Sequence, residues 1–154
     1  MSSPTSSHAY GIGLVALIVA LSATTVFYTS FYLPESLAKP SVSDHILHPE
    51  EEFFLIEIVP GAVIEGADNY VPNKPTVLLT FTNNVKWVNN DDTAHTVTPD
   101  HRYADGYSGD FGSPGVIMPG DSYEFLFTEP TVLHYFCQPH PWMKGEISVE
   151  KSRF

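Results

Sequence analysis

Residues 134–149, HYFCQPHPWMKGEISV, decide the fold. Strand-like runs occupy both ends, and the middle is a loop in which Cys137, His140 and Met143 stand at Cys-x-x-His-x-x-Met spacing. Pro139 and Pro141 flank the histidine, fixing two backbone torsions and removing two N–H donors from the loop. Alone, a buried cysteine is an inert small hydrophobe. Together on one loop between two strands, the three side chains read as a ligand set.

Working outward, the chain after Glu50 consists of short apolar or alternating runs cut by Pro, Gly, Asn and Asp, which is the pattern of an all-β domain. Strands are predicted over residues 53–59, 76–81, 85–89, 122–127, 131–137 and 146–149. The Gly/Asp/Tyr-rich stretch 99–119 is too long for a hairpin turn and reads as a surface loop. These elements make a β-sandwich with Greek-key connections.

A thiolate, an imidazole and a thioether suit copper, which favours sulfur when cuprous and accepts nitrogen when cupric. A trigonal site needs one more imidazole. His95 supplies it from the run KWVNNDDTAHTVTP (residues 86–99), where a strand ends at Asn89 or Asn90, a polar turn follows, and the histidine opens the next extended segment. Strands distant in sequence end at the same pole of a sandwich, so a residue about 40 positions upstream meets the C-terminal loop there.

On these motifs the segment from about Phe53 to Glu150 resembles the cupredoxins, the family of plastocyanin, azurin, pseudoazurin and amicyanin. CQPHPWM (137–143) is closest to the amicyanin form of the ligand loop, and WVNNDDTAHTV (87–97) is similar to the strand and turn that deliver the first histidine in plastocyanin-like domains. The resemblance implies an all-β, Greek-key, cupredoxin-like sandwich holding one type 1 copper ion. His95, Cys137 and His140 take the equatorial positions and Met143 the axial one. It further implies an electron-transfer protein and not an enzyme, carrying single electrons between redox protein partners by Cu(II)/Cu(I) cycling, with no small-molecule substrate. Partners dock on an apolar patch around the His140 edge, built by Pro139, Pro141 and Trp142. Thr96 stands where many relatives have Asn, so hydrogen bonding beside the thiolate is expected to differ. The alternative reading is a copper-binding accessory subunit or copper delivery protein of a membrane complex.

Other candidates read as structural. Tyr135 and Phe136 are packing aromatics, His101 and His134 are surface residues, and Met118 belongs to an MPGD turn. His45 and His48 are three apart, but Pro49 follows and no third ligand is near, so they are a solvated pair.

Residues 9–33, AYGIGLVALIVALSATTVFYTSFYL, carry no ionisable side chain but tyrosine and are long enough to cross a hydrocarbon core of about 30 Å as a helix. Tyr10 at one end and Phe27, Tyr28, Phe31 and Tyr32 at the other suit the headgroup layers, and Pro34 is expected to stop the helix. A cleaved signal is the rival, since Ser36 and Ala38 have small-x-small spacing. Against it, no Lys or Arg precedes the run, and the run exceeds a hydrophobic region of about 7–15 residues. The organisation is therefore a tail (1–8), a single transmembrane helix or uncleaved signal anchor (9–33), a linker (34–50) and a cupredoxin domain (51–154). Copper chemistry places that domain on the extracytoplasmic side, periplasmic or cell-exterior, of a single-pass membrane protein.

The 18 acidic and 7 basic residues give a formal net charge of −11, and none of them precedes Glu35. An acidic domain repels phosphates, so no nucleic acid partner is expected. The surplus suits either solubility or the steering of a basic partner. A lone cysteine excludes an intrachain disulfide and a two-cysteine dinuclear copper site. The absence of a His-x-His pair, together with a length of 154 residues, argues against a multicopper oxidase or copper nitrite reductase.

Overall fold

The computed structural model describes residues 7–37 and 42–152. It divides into two compact units, Met1–Lys39 and Pro40–Phe154. Among the described residues the second unit carries ten strands: β1 (Phe54–Ile58), β2 (Tyr70–Val71), β3 (Thr76–Leu78), β4 (Asn84–Asn89), β5 (Thr98–Pro99), β6 (Ala104–Asp105), β7 (Gly109–Asp110), β8 (Ser122–Leu126), β9 (Thr131–Phe136) and β10 (Lys144–Glu150). One four-stranded sheet runs β2-β1-β4-β8, a second runs β3-β10-β9-β5, and β6 pairs with β7 apart from both, so the chain changes sheet repeatedly as a Greek-key sandwich requires. Antiparallel pairing dominates, with parallel pairs at β1–β4 and β3–β10.

Period-two burial is clearest in β4 and β10, whose side chains alternate buried and half-exposed along the strand. Ile56, Val85, Trp87 and Phe125 from one sheet and Val77, Leu133, Tyr135 and Ile147 from the other form a single core. Every strand expected from the sequence is present, with ends moved by a few residues. The predicted run 76–81 stops at Leu78 because Thr80 takes φ 76° and the chain turns, with Phe81 and Thr82 donating back to the Leu78 carbonyl. The expected loop 99–119 contains β6 and β7, gathered around the buried Asp105. Its carboxylate accepts from the N–H groups of Tyr107, Ser108 and Thr128 and from the Thr128 hydroxyl.

Two buried asparagines pin the poles of the sandwich. At one, Asn83 donates to the carbonyls of Ile46 and Phe127 at 2.9 and 2.7 Å. This holds the short helix Asp44–Leu47 on the domain, and Ile46 packs against the core. His45 and His48 on that segment are exposed. At the other pole Asn89 donates to Thr93 and Ile117, both at 2.8 Å, closing the turn that leads to His95.

The first unit is helical over Ser7–Phe27, π-helical over Tyr28–Tyr32 and α-helical again over Leu33–Leu37. Pro34 does not end it. Leu33 N–H reaches back five residues to the Tyr28 carbonyl, and this wider turn opens the register just where a proline ring would meet the preceding turn. Tyr10–Leu37 is long and apolar enough to cross a membrane, by length and composition. Its hydroxyls fold back onto its own carbonyls, as from Thr24 to Ala20 and Thr25 to Leu21 at 2.8 Å. The tail 1–6 and Ala38 of the small-x-small pair lie outside the described residues.

Gly145 on β10 faces Tyr135 on β9, and a Cβ there would sit 2.3 Å from Tyr135 Cζ. Only glycine lets the phenol lie across the neighbouring strand. Gly145→Ala is expected to destabilise the domain by about 1–3 kcal/mol through overpacking, read as a shift in the denaturant midpoint of Trp fluorescence.

Candidate metal centre

β4 ends at Asn89, and the polar turn 90–94 returns the chain so that His95 forms an antiparallel bridge with Ile117, bonded both ways at 3.1 and 2.7 Å. β9 delivers Cys137 at the same pole. The loop after it is wound tightly: His140 N–H donates to the Cys137 carbonyl at 3.0 Å, Met143 N–H to the His140 carbonyl at 2.9 Å, and Cys137 N–H to the Met143 carbonyl at 3.1 Å. Those three bonds fold residues 137–143 into a closed unit from which β10 departs.

Cys137 Sγ lies 3.6 Å from His95 Nδ1 and 3.6 Å from His140 Nδ1. All three donor atoms lie within 4.8 Å of one another, the one such cluster among the described residues. Met143 is fully buried and tied through its backbone to both Cys137 and His140. Cys137 and His95 are also fully buried, whereas His140 is half-exposed and opens the cluster to the surface.

These distances fit a bound metal. A first-row ion in a trigonal plane, with bonds of about 2.0–2.1 Å to nitrogen and about 2.3 Å to sulfur, leaves those donors about 3.7 Å apart. One thiolate and two imidazoles form a donor set suited to copper.

The hydrogen bonds around the donors fix their orientation. His95 Nε2 lies 2.8 Å from the Asp91 carboxylate, and both side chains are almost wholly buried. A carboxylate only accepts, so Nε2 carries the proton and the Nδ1 lone pair faces the sulfur. Burial alone would raise the Asp91 carboxyl, but hydrogen bonds from Gly61 N–H and the His95 ring outweigh it and hold the group below the ordinary carboxylate range. The sulfur accepts from Thr96 N–H at 3.4 Å. The Thr96 hydroxyl accepts from Gln138 N–H at 2.8 Å, stitching the His95 segment to the ligand loop. A hydroxyl is thus the connector at this position.

Of the other residues singled out in the sequence, Tyr135 is in the core, His101 and His134 are exposed, and Met118 is exposed in its turn. Pro139, Pro141 and Trp142 are exposed around His140, and the Trp142 ring lies 5.5 Å from the His140 ring. Asp91 and Asn89 were not singled out. The only signal for Asp91 is an acid four positions before His95, shared ambiguously with its neighbour Asp92.

Comparison with known proteins agrees with this architecture. The family model for copper binding proteins of the plastocyanin/azurin family matches residues 63–150. Amicyanin from Paracoccus denitrificans is 27% identical over 115 residues, covering 73% of this chain and 85% of its own length. A purple cupredoxin from Nitrosopumilus maritimus superposes with a TM-score of 0.50 at 29% identity, covering 62% of this chain and 97% of that one. A copper-containing nitrite reductase from Thermus scotoductus shares the fold at 21% identity and a TM-score of 0.50, over 27% of its length and 73% of this chain.

Loss of the carboxylate behind His95 leaves the ring free to turn. Asp91→Asn is expected to weaken copper binding by about 10–100-fold, measured by competition with a chromophoric chelator.

Proposed function

The chain belongs to the plastocyanin/azurin family of copper-binding proteins, and on that footing we propose that it is a membrane-anchored type 1 copper protein that carries single electrons between redox proteins. His95, Cys137 and His140 would hold the copper through one sulfur and two imidazole nitrogens, and the buried Met143 would complete the set. The observation that carries this is the convergence of one buried sulfur and two imidazole nitrogens at 3.6 Å, closed by the backbone clasp of residues 137–143. Copper bound there supplies a one-electron change between cupric and cuprous states.

The chain's own residues serve speed. Asp91 holds His95 in one tautomer, the two prolines stiffen the loop, and Thr96 joins the two segments, so little has to reorganise when the charge changes. Burial excludes water on the His95 side, and His140 is the edge through which electrons enter and leave. Pro139, Pro141 and Trp142 surround that edge and form the docking patch. A carrier is favoured over an enzyme because Cys137 and His95 are wholly buried and the donor cluster reaches the surface only on the His140 side.

The helix Tyr10–Leu37 is proposed to span the bilayer with the copper domain outside the cytoplasm. Its large apolar side chains, from Ile12 to Tyr32, all point outward, a surface that lipid accommodates and water does not.

Replacing the sulfur by oxygen tests the ligand assignment. In Cys137→Ser the intense visible thiolate-to-copper absorption is expected to vanish, and persistence of that colour in an absorption spectrum refutes the assignment. The docking patch has its own test. Trp142→Ala is expected to slow electron exchange with the physiological partner about tenfold while the copper spectrum stays the same, as stopped-flow kinetics will show.

A further inference from the structure

The pole of the sandwich opposite the copper centre holds a second group of metal-ligating side chains that nothing above employs. His45 lies in the helical turn Asp44–Leu47 and His48 caps it, a spacing of three that puts both on one face. The fold adds the third donor that the sequence did not suggest. Past Pro49 the chain runs beside the turn after β3, with Glu50 N–H donating to the Thr80 carbonyl and Glu51 N–H to the Phe81 carbonyl, each at 3.0 Å. His45, His48 and Glu50 thereby border one open pocket of about 340 Å³ with Thr80, Phe81 and Ser152.

The chemistry of the pocket suits a cation. His48 Nδ1 lies 3.2 Å from the Asp44 carboxylate and 3.3 Å from the Asp44 carbonyl. Both oxygens only accept, so Nδ1 carries the proton and the lone pair stands on Nε2. A carboxylate behind the protonated nitrogen is the usual support of a ligating imidazole, and Asp91 serves His95 in the same way. No Lys or Arg lines the pocket, while Asp44, Glu50, Glu51 and Glu52 give this segment a negative field. As they stand, the three donors do not gather within 4.8 Å as those of the copper centre do. His45, His48 and Glu50 are all exposed, so their side chains can change rotamer without displacing packed neighbours. The backbone that carries them is held in place, because Asn83 donates to the Ile46 carbonyl at 2.9 Å and Ile46 packs on the core.

We propose that His45, His48 and Glu50 form a second metal site, which takes a divalent first-row ion through two imidazole nitrogens and one carboxylate. Bound there, the ion clips the segment that leads into the sandwich onto the turn at Thr80. The site lies outside residues 63–150 matched by the copper-protein family and does not depend on the electron-carrier reading.

The test uses the full-length chain in detergent with its copper centre filled, titrated with Zn²⁺ by isothermal calorimetry while the visible absorption is followed. One further equivalent is expected to bind with the copper band unchanged. His45→Ala and His48→Ala are each expected to weaken that binding at least about tenfold, since losing even an outer partner of a ligand costs that much. Glu50→Gln weakens it in the same direction. His101→Ala and His134→Ala, at exposed imidazoles elsewhere on the domain, leave it as it was. Both rings of the site are exposed, so their removal does not endanger the fold. Affinity unchanged to within about twofold in both His45→Ala and His48→Ala overturns the site. So does an equal loss in His134→Ala, which marks adventitious binding to surface histidines, and so does a copper band that fades as Zn²⁺ binds, which puts the ion at the copper centre instead.

Discussion

Three backbone hydrogen bonds within residues 137–143 hold a sulfur, an imidazole and a buried thioether residue on one closed loop, and the rest of the site depends on them. Crowding three electron-rich donors within 4.8 Å is unfavourable without a cation between them, so the scaffold has to impose the arrangement. It does so from two sides. The loop is clamped onto β9 and β10, and the opposing imidazole is fixed by a buried carboxylate that is itself held by Gly61 N–H. Removing any one of these restraints loosens a donor rather than merely weakening a contact.

The sandwich is built to make that pole rigid. Asn89 closes the turn before His95, and the bridge to Ile117 holds the histidine in an extended segment. Beneath the site the large aromatics Tyr70, Trp87 and Tyr135 fill the gap between the sheets, and Gly145 provides the hollow that admits the Tyr135 ring. Asn83 at the far pole fastens the short helix Asp44–Leu47 to the domain, so the chain leading into the sandwich is part of its packing. Packing, hydrogen bonding and ligand placement are thus one set of constraints seen at different distances from the sulfur.

The convergence of Cys137, His140 and His95 was legible because its signals are local: Cys137 and His140 share one loop with Met143, and His95 follows a strand and a polar turn. The longer strands were legible from alternation. Asp91 was not, because its role arises only when the turn brings it under the His95 ring, and its neighbour Asp92 looks identical in sequence. β2, β5, β6 and β7 are two residues each and leave no periodic signal. Pro34 misled for a physical reason, since the wider turn from Tyr28 to Leu33 lets the helix absorb a proline that an ordinary turn would exclude. The α-helical turn at Asp44–Leu47 is one turn long, below what periodicity detects.

Copper-edge X-ray absorption of the oxidised full-length protein tests the site most directly, because it counts donor atoms without relying on colour or activity. One short sulfur and two nitrogens in the first shell is the result this geometry predicts. A shell of nitrogen and oxygen alone, with no sulfur at bonding distance, would contradict it.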